Sequence, residues 1–115
     1  MSAVNFGKRN RIRFSGGGPL KEWQPSGGAA VYAVTCQADA VNRPKAHCVV
    51  YFGETADLSR QFATIREELH AWWEHNSGTD GDLFIFCHEM PGSSQHERVN
   101  VQHQLVMEYY PRGNN

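Results

Sequence analysis

The sequence predicts an α+β domain in which a three-stranded antiparallel sheet is flanked by helices. Residues 29–36, 47–52 and 83–87 are short runs rich in β-branched, aromatic and small residues, the composition of buried or half-buried strands. Leu58, Phe62, Ile65, Leu69 and Trp72 recur at spacings of four, three, four and three, the stripe of an amphipathic helix. The resulting order is strand, strand, helix, strand, helix. The first two strands form a hairpin with a long connection, and the helices pack on the sheet.

Along the chain, residues 1–10 carry no periodic pattern and are expected to be disordered. Arg11-Ile12-Arg13-Phe14 alternates with period two, a short strand with Ile12 and Phe14 on one face. Ser15-Gly16-Gly17-Gly18-Pro19 is a flexible break. No Lys-Ser/Thr follows these glycines, which excludes a P-loop. Residues 23–28 are a loop ending in Ser-Gly-Gly, and residues 37–46 are a second loop. Thr55 or Asp57 caps the first helix, which runs to about residue 75 and stops at Asn76-Ser77-Gly78. An Asp80-Gly81 turn leads into the third strand, and Pro91-Gly92-Ser93-Ser94 breaks the chain again. Residues 95–109 form the last helix, with Val99, Gln102, Leu105, Val106 and Tyr109 on one side. Residues 1–22 thus read as a basic, partly disordered arm and residues 23–115 as the folded domain.

Composition narrows the function classes. A chain of 115 residues with 40% apolar and 20% charged content is one ordinary globular domain able to bury a core. No apolar run approaches the ~20 residues of a membrane span, so a membrane is not an expected partner, and no secretory signal is read at the N-terminus. Three cysteines, Cys36, Cys48 and Cys87, lack the density of a disulfide framework, which points to reduced thiols in a cytoplasmic setting. Residues 1–21 hold Lys8, Arg9, Arg11, Arg13 and Lys21 and no acid, so all twelve acidic residues lie behind them. A basic arm of this kind can track phosphates through Lys8, Arg9, Arg11 and Arg13, or can equally be a solvated segment whose charges protect a strand edge.

Ala30-Val31-Tyr32 and Tyr51-Phe52-Gly53, on consecutive expected strands, resemble the two signature triplets of the GIY-YIG nuclease superfamily. Glu54-Thr55-Ala56-Asp57-Leu58 followed by an amphipathic helix is how that family continues. The closing stretch from Leu105 through Pro111-Arg112-Gly113-Asn114 is similar to its last helix and Pro-x-x-Asn ending. The resemblance covers about residues 29–114. It departs from the family in having Ala30 in place of the first Gly and a longer connection between the tyrosines.

The resemblance implies a GIY-YIG-like fold and Mg²⁺-dependent hydrolysis of DNA, with Tyr32 beside the attacking water. Tyr51, an Arg on the first helix and a metal-binding Glu on the last helix would complete the site. The family's Arg position falls on Gln61, with Arg60 next to it, and its Glu position falls on Gln102. On a helical wheel Gln61 lies beside the apolar stripe, whereas Arg60 lies about 160° from Leu58. Gln102 is centred among the apolar residues of its helix. Glu97 lies about 140° from it, and Arg98 shares its face. Arg60 or Arg98 is therefore the candidate cation, and Glu54 or Glu97 the candidate carboxylate, with Gln102 at the metal position. A neutral amide is a weak Mg²⁺ ligand. Replacing both charged groups by Gln keeps local charge balance and hydrogen-bonding shape. That pattern implies impaired or lost hydrolysis on a retained scaffold. The alternative is a non-catalytic module that binds nucleic acid or protein.

Other constellations are weaker. His47-Cys48 and Cys87-His88 resemble halves of a zinc site, but adjacent strand residues face opposite ways and the Cys-x₂-Cys spacing is absent. Three Cys and six His permit a thiol nucleophile by composition alone, with no local signature. Only one of the adjacent Trp72 and Trp73 can face the core.

Overall fold

Among the described residues five strands, not three, make the sheet. The computed structural model describes residues 4–25, 27–37, 41–42, 47–77 and 83–114. In chain order the elements are β1 (Val4–Phe6), β2 (Ile12–Pro19), β3 (Ala30–Gln37), β4 (His47–Thr55), α1 (Leu58–Ser77), β5 (Leu83–Glu89), α2 (Gln95–Tyr109) and a 3₁₀ turn (Arg112–Asn114). The sheet order is β1-β2-β5-β3-β4, and each neighbouring pair is antiparallel. The expected hairpin, third strand and two helices are present. Parts of the loop between β3 and β4, Gly78 and the Asp80-Gly81 turn lie outside the described residues.

The expectation of a three-stranded sheet is corrected by β1 and β2, which arise from the stretch read as a basic arm, a short strand at residues 11–14 and a flexible break; that short strand is the start of β2. The glycine run becomes strand because aromatic side chains from elsewhere occupy the space its own side chains would need. A Cβ on Gly17 would lie 2.1 Å from the Phe86 ring. The Trp23 indole N–H donates to the Gly16 carbonyl. A shift of register between Ser15 and Gly18 marks the irregularity this packing imposes. Phe14, near the start of β2, is wholly buried.

Strand alternation divides the core between the two faces of the sheet. Ala30, Tyr32 and Val34 turn toward α1 and pack with Leu58, Phe62, Leu69 and Trp73. Val31 and Ala33 turn the other way, with Phe6, Phe14, Phe52, Phe86 and Leu105 of α2. The molecule is thus helix, sheet, helix. Between the two tryptophans the core residue is Trp73, while Trp72 is half-buried at its rim.

Both helices start with satisfied backbone donors. Asp57 accepts from the Arg60 amide at 3.2 Å, and the Leu58 and Ser59 amides donate to the carbonyls of Gly28 and Gly27. Ser94 and Glu97 form a reciprocal capping box on α2. No helix among the described residues is long and apolar enough to cross a membrane.

Candidate functional site

Tyr32 and Tyr51 meet on the α1 face of the sheet. A bulge in β4 puts them there. Val34 pairs with Tyr51, but the next residue, Thr35, pairs with Val49, leaving Val50 extra. The extra residue brings Tyr51 onto the face that carries Tyr32. Their ring centroids are 6.0 Å apart. Gly53, directly across from Tyr32, is required by close approach, since a Cβ there would lie 2.2 Å from the Tyr32 ring. The Tyr-Phe-Gly triplet therefore has a packing reason: its Gly makes room for the other strand's Tyr.

The two tyrosines line a pocket of about 160 Å³ with Ile65, Glu68, Leu69, Trp72 and Gly113. Glu68 is the residue that sequence reasoning passed over. It lies three residues after Ile65 and four before Trp72, so a carboxylate beside the apolar stripe was the available signal. Burial, followed by the charge and hydrogen bond of Tyr51 and the carboxylates of Glu54 and Glu68, pushes the Tyr32 hydroxyl well above the ordinary tyrosine range. Tyr32 is thereby held neutral, which suits a hydrogen-bonding role and opposes service as a base.

The remaining candidates do not line this pocket. Gln61, on α1, accepts a hydrogen bond from the buried Thr55 hydroxyl. Arg60 is exposed, on the outer side of its helix as the wheel predicts. On the α2 side, the Arg98 Nε donates to Glu54 at 3.0 Å, and its Nη1 donates to the carbonyl and hydroxyl of Ser93 at 2.7 and 3.1 Å. Arg98 is 4% exposed, so these partners are what make its burial tolerable. Gln102 donates from Nε2 to the Phe52 carbonyl at 2.8 Å, and Asn114 brackets the same residue, accepting from its N–H and donating to its carbonyl. Gln102 and Asn114 thus close part of the open edge of β4.

Glu97, a candidate metal ligand, accepts from the Ser94 amide at 2.9 Å in the capping box. Its bonds to Ser94, backbone first, hold its carboxyl below the usual range. The donors named for Mg²⁺ therefore do not fit one ion: Glu54 is paired with Arg98, Glu97 caps a helix, and Gln102 presents an N–H to a carbonyl. Among the described residues no three His, Cys, Asp or Glu side chains come together as a metal site. The zinc halves also stay apart. His47 bonds to Thr35 and packs edge-on against Phe84, while His88 bonds to the Arg13 carbonyl.

No family model, curated protein or solved structure matches the chain. The geometry of its own side chains is what bears on its chemistry, and the second feature of note is basic. Lys8, Arg9, Arg11 and Arg13 are all exposed, and they lie on the β1–β2 turn and along β2. Glu108 of α2 accepts from the Lys8 and Arg9 amides at 3.1 and 3.4 Å. The Tyr109 hydroxyl accepts from the Gly7 amide at 2.9 Å, and the Lys8 ammonium lies 5.6 Å from the Tyr109 ring centre. The turn is therefore pinned to the end of α2 through its backbone, which leaves the guanidinium groups of Arg9, Arg11 and Arg13 in water.

Proposed function

We propose, from the motif resemblance to the GIY-YIG superfamily and the basic turn, that this chain is a nucleic-acid-binding module with hydrolysis impaired or lost. The observation that carries the reading is the pinned basic turn. Four cations are presented on ordered backbone, so less ordering is needed on binding than from a free arm. The occupied state of the other candidates supports the loss of chemistry: Gln61, Glu54, Arg98, Glu97 and Gln102 each hold the fold together, and Tyr32 is held neutral. DNA is the proposed partner, and a reducing, cytoplasmic setting suits the three free thiols.

Residual hydrolysis is a second reading, favoured by the meeting of Tyr32 and Tyr51 beside Glu68. Mg²⁺ belongs to this reading alone.

Fluorescence anisotropy with labelled single-stranded and duplex DNA over a salt series tests the proposal. Binding should weaken with salt, with a log–log slope of about −0.9 per duplex phosphate neutralised. Replacing Arg9, Arg11 and Arg13 together by Ala should weaken binding roughly tenfold or more and flatten the slope by about one for each phosphate no longer neutralised. Salt-insensitive binding, or an unchanged triple variant, overturns the assignment. Cleavage with Mg²⁺ or Mn²⁺ that disappears in Tyr32→Phe would establish the second reading instead.

A further inference from the structure

Cys36 and Cys48 stand directly opposite one another in the antiparallel pair β3–β4. Opposed residues in such a pair have Cα atoms about 4.5–5.5 Å apart, inside the roughly 4.4–6.8 Å that a disulfide spans. They share a face: Cys36 packs against the α1-side core, and its register partner points the same way. Both are free thiols, with Cys48 exposed and Cys36 partly covered. Burial, and secondarily the neighbouring Cys48, raises the Cys36 thiol above its usual range, while Arg112 opposes that rise. Cys87 is a different case. It is buried and pushed up to about 12, and it pairs across the sheet with Tyr32 and Ser15 rather than with either cysteine.

We propose that Cys36 and Cys48 form a reversible cross-strand disulfide, an oxidation site that takes small disulfide oxidants of the glutathione class. Exposed Cys48 attacks first as thiolate. Its sulfur bonds to one sulfur of the oxidant, the oxidant's S–S bond breaks, and one thiolate leaves. The Cys36 thiolate then attacks the Cys48 sulfur and expels the second thiolate. The two protein thiols lose two electrons and two protons in all, and the oxidant is reduced to two thiols. The exposed partner is the point of entry, and the covered one resolves the mixed disulfide. The bond would tie the two strands together beside the bulge that positions Tyr51.

The test is oxidation of the full chain by glutathione disulfide, followed by intact-mass and non-reducing peptide analysis. The expected product is monomeric, lighter by two hydrogens, with tryptic peptides 22–45 and 46–60 joined through Cys36 and Cys48. Its melting temperature should rise by roughly 5–15 °C and return to the reduced value with dithiothreitol. Cys48→Ser should abolish the link, and Cys36→Ser should stop at a glutathione adduct on Cys48. A stable adduct in the parent chain, a link to Cys87, or an intermolecular dimer through Cys48 overturns the proposal.

Discussion

Gln102 holds the edge strand by a bond whose direction matters. Its Nε2 donates to the Phe52 carbonyl at 2.8 Å, so the position calls for a donor. Glutamate, the residue the family resemblance would place there, has no N–H to give and would set a carboxylate against a carbonyl. Gln102→Glu should therefore cost about 1–3 kcal/mol in urea unfolding and yield no hydrolysis of DNA, alone or with Gln61→Arg. A stable double variant that cleaves would show instead that the two glutamines are the only lesion. At this scale the sequence revealed the faces but not the partners. The helical wheel put Gln102 inward and Arg60 outward, as found. It could not show that Gln102 meets a backbone carbonyl, because that carbonyl belongs to a strand far earlier in the chain, at a separation of 50 residues.

At the scale of elements, β3, β4, β5, α1 and α2 were legible because each buries its own side chains with the period of its own backbone. Of β2 only the start was, through the Ile12–Phe14 alternation, since its middle is glycine and the packing there is supplied by Phe86 and Trp23 from other elements. The start of β4 shows the converse, a polar side chain fixed by its neighbours. His47 donates to or accepts from the Thr35 hydroxyl at 2.9 Å and meets the Phe84 and Phe86 rings edge-on at 5.0 and 5.6 Å. Burial lowers its proton affinity relative to an ordinary imidazole. Near its usual value, about 6.5, the unfolded chain then binds more protons than the folded one. The contribution is present above that value and lost as pH falls through it. Melting temperature should accordingly decline on acidification from about pH 7 to 5, and His47→Gln should show a shallower decline. An identical slope in the variant would remove His47 as the cause.

For the whole molecule, the sheet is a partition. The tyrosine pair and Glu68 lie on one side, Glu54, Arg98 and Gln102 on the other, and this separation is what a one-dimensional alignment of motifs cannot display. The same three-layer build decides what residues 1–22 are. If they were an arm, their removal would leave a folded domain with weakened phosphate binding. Instead β2 pairs with β5 in the middle of the sheet, and Phe6, Phe14 and Leu20 are buried in the two cores. Side chains of this kind contribute about 1.5–3 kcal/mol each, so together they approach the stability of a whole domain, about 5–15 kcal/mol. Deletion would also bare the edge of β5 and the Phe86 ring that Gly17 now covers. A chain lacking residues 1–22 should therefore lose its cooperative thermal transition by circular dichroism and bind hydrophobic dye, with DNA binding lost as a consequence of unfolding. A shortened chain that still melts cooperatively within a few degrees of the parent would restore the arm and confine the fold to β3, β4, β5 and the two helices.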